Sequence, residues 1–146
     1  LFSVPKQSIY NVGKFGVKAF TESLALEMEI AESPVEVYCV FPGHIGTNIY
    51  HASKFKSFEA DDAGAAIFGA NASTIEEAAD QFKNNAPSSP EHAAKVIIKN
   101  IKKKNKRILI GADAHFYDLM SRLFPKHFIK IIWVWPFLRN LFTRNK

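Results

Sequence analysis

Tyr10 and Lys14 stand four residues apart in the run Tyr-Asn-Val-Gly-Lys. On an α-helix that spacing stacks two side chains on one face, one turn apart. A phenol ordinarily keeps its proton until about pH 10, and a fixed ammonium beside it favours the phenolate, so the pair is suited to giving and taking a proton. The spacing alone also describes an ordinary surface pair, which many chains contain. A second suggestive stretch is Pro42-Gly43-His44-Ile45-Gly46-Thr47. It follows an apolar run that reads as a strand, and ligands of open α/β sheets sit beyond the carboxyl ends of strands. Backbone amides and the Thr47 hydroxyl in such a turn are placed to bind something, although read alone the segment is a tight turn.

The flanking pattern supplies elements that can position both stretches. From Ser8 to Ala31 the apolar residues Val12, Phe15, Phe20, Leu24 and Met28 recur at helical intervals, and Ser33-Pro34 ends that helix. Val35 to Phe41 carries β-branched and aromatic residues with Glu36 its one charge, which predicts a strand covered on both faces, stopped by Pro42-Gly43. From His44 to about Pro90 the pattern weakens into a long loop or lid with room for one or two short helices. Ser89-Pro90-Glu91 then predicts a helix start, with Ser89 as cap, Pro90 in the first position and Glu91 favourable to the dipole. That helix runs through Ala94, Ile97, Ile98 and Ile101 to a basic turn, Lys102 to Arg107, and Ile108 to Gly111 reads as a short buried strand. Asp113 is expected to cap a last helix bearing Phe116, Leu119, Met120 and Leu123, which Pro125 ends. Helix alternating with strand predicts an α/β layer structure, but two buried strands need neighbours on both sides, as at one end of a larger sheet.

Taken together, these features resemble the short-chain dehydrogenase/reductase family. The resemblance is carried by Tyr10-Asn11-Val12-Gly13-Lys14-Phe15 and its long helix, by Val-Tyr-Cys-Val-Phe-Pro-Gly-His-Ile-Gly-Thr about thirty residues on, and by the late Ser-Pro-Glu-His-Ala-Ala helix, basic turn and Ile-Leu-Ile-Gly. It runs from Val4 to about Pro125. It implies a Rossmann-like, doubly wound parallel sheet, here truncated to its C-terminal part, with residues 1–127 as that half-domain and 128–146 as an aromatic, basic extension. It further implies an oxidoreductase that interconverts an alcohol and a carbonyl with NAD or NADP. Tyr10 matches the catalytic tyrosine and Lys14 the lysine that lowers its pKa and bonds the nicotinamide ribose. Pro42, Gly43, Ile45 and Thr47 match the segment that seats the nicotinamide, Ile45 through its backbone and Thr47 through its hydroxyl. The expected partners are a small, hydrophobic alcohol or carbonyl compound and, for the full-length protein, a second copy of itself.

The departures from the family pattern are equally specific. The sequence has no glycine-rich turn of the kind that puts a pyrophosphate at a helix N-terminus. The family's active-site serine stands a dozen or more residues before the tyrosine, whereas nine residues precede Tyr10, and Ser3 and Ser8 are too close. Leu1 in place of Met fits the same picture. The chain is therefore expected to lack the cofactor-anchoring half and to have negligible turnover alone.

Composition excludes other classes. With 146 residues, 47% hydrophobic, 23% charged and a net charge of +5, the chain has the make-up of one globular domain. Its single cysteine, Cys39, cannot form an internal disulfide. Neither a signal peptide nor an unbroken membrane-spanning run is visible, which predicts a cytoplasmic protein. The five histidines show no metal-ligand spacing, although His44 and His51 flank the candidate loop and could touch substrate. The lysines from Lys95 to Lys106 lack interleaved aromatics and read as a solvated helix end, so no nucleic-acid partner is expected. The rival reading rests on the aromatic and basic stretch from Phe128 to Phe142. That composition suits a lipid-binding module lying peripherally at a membrane surface, or equally a segment packed on the parent sheet or a second subunit.

Overall fold

The structure is a computed structural model that describes residues 2–3, 8–49, 74–128 and 130. Among them the element order is α1 (Ser8–Ile30), β1 (Cys39–Pro42), α2 (Ile75–Asn84), α3 (Pro90–Lys102), β2 (Arg107–Ile110) and α4 (Ala112–Leu123). The strands pair in parallel, with Cys39 opposite Arg107 and Pro42 opposite Ile110. Hydrogen bonds from Cys39 N–H to the Lys106 carbonyl and from Gly43 N–H to the Ile110 carbonyl, each 2.8 Å, close the ladder at its two ends.

Helix α1 carries the expected apolar stripe, but the described residues leave it uncovered. None of its residues is buried, and Ile9, Val12 and Phe20 are 87%, 73% and 67% exposed. A long amphipathic helix gains most of its stability from tertiary packing, which the described residues do not supply to this face. Its C-terminus is set by the backbone before Ser33-Pro34 comes into play. Glu32 takes a left-handed φ of 49°, and Ser33 N–H returns to the Met28 carbonyl at 2.9 Å.

The first strand is shorter and later than its composition predicts. Residues from Val35 to Tyr38 precede the first ladder bond, which forms where Lys106 supplies an acceptor. Nor are both its faces covered: Phe41 is 7% exposed and Val40 37%. The second strand starts one residue earlier than expected, at Arg107. On one of its faces Ile108 and Ile110 are fully buried with Ala93 of α3, and Tyr38, Ile45, Val96 and Ile97 pack around them. On the other face Arg107 reaches Asp118 of α4 and lies 4.5 Å from the centre of the Phe41 ring. Successive strand residues point to opposite faces, so helices flank this parallel pair on both sides. The arrangement is α/β and compatible with a Rossmann-like fold.

Between the strands, α2 occupies the region expected to hold short helices. Thr74 caps it by accepting Glu77 N–H at 3.2 Å, and Glu76 and Glu77 sit favourably in its first turn. Residues 50–73, including His51 and the middle of the expected loop or lid, lie outside the described residues. Helix α3 begins as its sequence predicts, with Pro90 in the first turn and Ser89 Oγ accepting His92 N–H at 3.2 Å. The basic turn after it is partly neutralised, since Lys104 pairs with Glu36 at 3.0 Å and Lys106 pairs with Glu29. Helix α4 departs from expectation at its start. Its cap is Gly111, with φ 91°, and Asp113 makes no capping bond there.

Phe128 is buried, with its ring 5.3 Å from that of Phe2 and 6.3 Å from that of Tyr117. The membrane reading rests on Phe128 to Phe142, of which residues 129 and 131–142 lie outside the described residues. Among the described residues no helix is long and apolar enough to cross a membrane.

Candidate active site

Helix α1 presents Tyr10 and Lys14 one turn apart on an open face. The Lys14 ammonium lies 5.4 Å from the centre of the Tyr10 ring, within the range in which a cation is drawn to an aromatic face. Tyr10 is 60% exposed and Lys14 is also exposed, so both polar ends are open to a ligand.

The direction of α1 follows from contacts near its other end. Glu29 pairs with Lys106, one residue before β2. Burial pushes the Cys39 thiol above its ordinary range; the Glu22 carboxylate adds to that rise, while Lys18 and Arg107 oppose it. Cys39 opens β1, so the middle and end of α1 lie beside the strand starts, and the helix runs back toward the strand ends.

The loop of residues 42–47 is held from three directions. Gly46 N–H donates to the Ser88 carbonyl at 2.9 Å, where Ile45 and Ser88 form a parallel bridge, and the Ile45 side chain packs on the core. Thr47 N–H folds back on the Ile45 carbonyl at 2.8 Å. His44 N–H donates to Asp113 Oδ2 at 2.6 Å. The His44 ring stacks on Phe82 with centroids 4.3 Å apart, and Nε2 donates to the Phe82 carbonyl at 2.7 Å. Pro42 is exposed at the strand end, and Thr47 is half-buried on an open groove bordered by Asn48, Lys83, Asn84, Ser89 and Glu91.

Sequence reasoning missed Asp113 and Phe82 as supports of this loop. Gly111-Ala-Asp113 looks locally like a helix cap, and nothing local marks a partner 69 residues away. The chemistry on offer is a phenol, an ammonium, a hydroxyl and ordered backbone amides. These are groups that can exchange a proton and hydrogen-bond a polar ligand; the sequence has no glycine-rich turn of the kind that holds a pyrophosphate. Among the described residues no cluster of three His, Cys, Asp or Glu side chains could hold a metal ion.

The family model for short chain dehydrogenases matches residues 1–57. SadH of Mycobacterium tuberculosis, a protein that carries the name of an oxidoreductase, is 36% identical over 132 residues in each of two strains, covering 90% of this chain. The chain spans 43% of the length of these relatives. No solved structure gives a significant match. The family model falls on the segment that carries Tyr10 and Lys14, and the likeness to SadH takes in 90% of the chain; both findings support the short-chain dehydrogenase family.

Proposed function

We propose that this chain is the proton-transfer and nicotinamide-seating part of an NAD- or NADP-dependent oxidoreductase that interconverts an alcohol and a carbonyl. The observation that carries the reading is the Lys14 ammonium 5.4 Å from the Tyr10 ring centre, on an exposed helix face. Tyr10 Oη donates a proton to a carbonyl oxygen in reduction and recovers it from the alcohol in oxidation. Lys14 stabilises the negative charge left on Tyr10 Oη when it gives up its proton and donates hydrogen bonds to the nicotinamide ribose. The Thr47 hydroxyl and the Ile45 backbone orient the carboxamide end, with Pro42 and Gly43 shaping the turn between strand and ligand. When bound, the nicotinamide supplies or accepts the hydride at the substrate carbon.

In this reading residues 1–127 are the C-terminal half of a doubly wound, Rossmann-like domain, and 128–146 are an extension of it. The exposed apolar face of α1 is covered by the rest of that domain and by a second subunit, and the substrate is a small hydrophobic alcohol or carbonyl compound. SadH, named as an oxidoreductase, supports the reaction class. The 146-residue polypeptide, having no glycine-rich turn, lacks turnover by itself. The test is Lys14→Met in the complete gene product, which is expected to lower kcat/KM by about a hundredfold or more. Activity within about twofold of the unaltered protein speaks against the reading.

A further inference from the structure

We infer that Asp113 is a positioning residue for the cofactor-seating loop, acting from α4 on the backbone of His44; the inference rests on the reading of that loop given above. Four observations converge on it. Asp113 Oδ2 accepts His44 N–H at 2.6 Å, a short bond between a carboxylate and an amide in a part-buried setting. Its other oxygen, Oδ1, is buried without a hydrogen-bond partner. The carboxylate occupies the space that a Cβ would need at both Gly43 and Gly111, so each glycine leaves room for it. Gly111 also takes φ 91°, a conformation that L side chains rarely adopt. Finally, the N-terminus of α4 has no side-chain cap although Asp113 stands in its first turn; the carboxylate spends its bond on the loop.

An acid in a first helical turn needs only the helix dipole to account for it, and such an acid points at its own amides or at solvent. Asp113 does neither. An unpaired buried acceptor is costly, so this placement is unfavourable for folding by itself. What it achieves is rigidity: Gly43 N–H is fixed on Ile110 and His44 N–H on Asp113, so two consecutive amides at the strand exit have set directions. Ile45 and Thr47, the residues assigned to the nicotinamide, follow directly. Asp113 touches neither reacting group and acts only by fixing the loop.

The experiment compares Asp113→Ala, Asp113→Ser and Asp113→Asn in the complete gene product, with Tyr10→Phe measured in parallel. Asparagine keeps an oxygen for His44 N–H and is expected to hold the cofactor KM within about threefold, while alanine raises it about tenfold or more with a smaller change in kcat. Independently of activity, amide exchange at His44 is expected to quicken at least about tenfold in Asp113→Ser and to stay slow in Asp113→Asn. Should alanine fail to fold, the serine and asparagine variants carry the same comparison. An unchanged cofactor KM in both the alanine and serine variants, or unchanged His44 exchange in Asp113→Ser, overturns the inference. If that result accompanies an inactive Tyr10→Phe enzyme, the positioning role alone fails; a fully active Tyr10→Phe enzyme removes the underlying reading instead.

Discussion

Arg107 and Asp118 are joined by a fork of two hydrogen bonds, 2.9 Å from Nη1 to Oδ2 and 2.7 Å from Nη2 to Oδ1, and this fork ties α4 to the first residue of β2. Arg122 adds a third bond to the same carboxylate at 3.1 Å. The helix tied in this way is the one that carries Asp113 to the loop after β1, so the fork bears on the candidate site as well as on stability.

The guanidinium of Arg107, aided by Arg122, holds the Asp118 carboxyl below the usual carboxylate range. A carboxyl whose folded pKa is depressed contributes stability that is complete above its unfolded pKa, near 4, and is lost as pH falls through the lower folded value. Replacing Asp118 with Asn in the complete gene product is expected to cost about 1–2 kcal/mol at pH 7. The difference between the two proteins should shrink as pH drops below about 4. Urea unfolding from pH 7 to pH 3 measures it, and a difference that does not change with pH contradicts the assignment.

Gly46 lies against a backbone that cannot yield. A Cβ there would sit 2.6 Å from the Lys83 carbonyl oxygen and 3.3 Å from Ala86 Cβ. Gly46→Ala should therefore push the loop away from the end of α2, lowering stability by about 1–3 kcal/mol. Thr47 would move with it, so cofactor affinity should weaken too. Thermal unfolding and cofactor titration of the same variant read the two effects, and an unshifted melting temperature denies the close approach.

Cys39 should be a slow thiol. Burial, with the Glu22 carboxylate, raises its pKa, so less thiolate is present at neutral pH than in a free cysteine. Alkylation by iodoacetamide at pH 7.5 is expected to run at least about tenfold slower than for glutathione, and to accelerate on unfolding in urea. Equal rates in the folded protein would place Cys39 outside the packed strand.

What the sequence made legible was local. Ser89-Pro90-Glu91 announced α3 because a cap, a ring-locked φ and a dipole partner all act within one turn. The Tyr10–Lys14 spacing was legible for the same reason, although only the family resemblance gave it a role. Features decided by distant partners were not legible. The start of β1 depends on the Lys106 carbonyl, and residues 35–38 have suitable strand chemistry but precede the ladder. Asp113 was misread as a cap because a first-turn acid after glycine has the same local signature whether it caps a helix or reaches a remote amide. The end of α1 was placed by Ser33-Pro34, whereas Glu32 had already closed it in a left-handed conformation to which glutamate gives no clue.

The most direct test of the central claim is single-turnover reduction of a hydrophobic carbonyl compound by the complete gene product, with and without Tyr10→Phe. Phenylalanine keeps the ring beneath the Lys14 ammonium and removes only the hydroxyl, so cofactor binding should stay within about threefold while the rate of conversion falls by about a hundredfold to ten-thousandfold. Conversion at the unaltered rate would show that the proton comes from elsewhere and contradict the account.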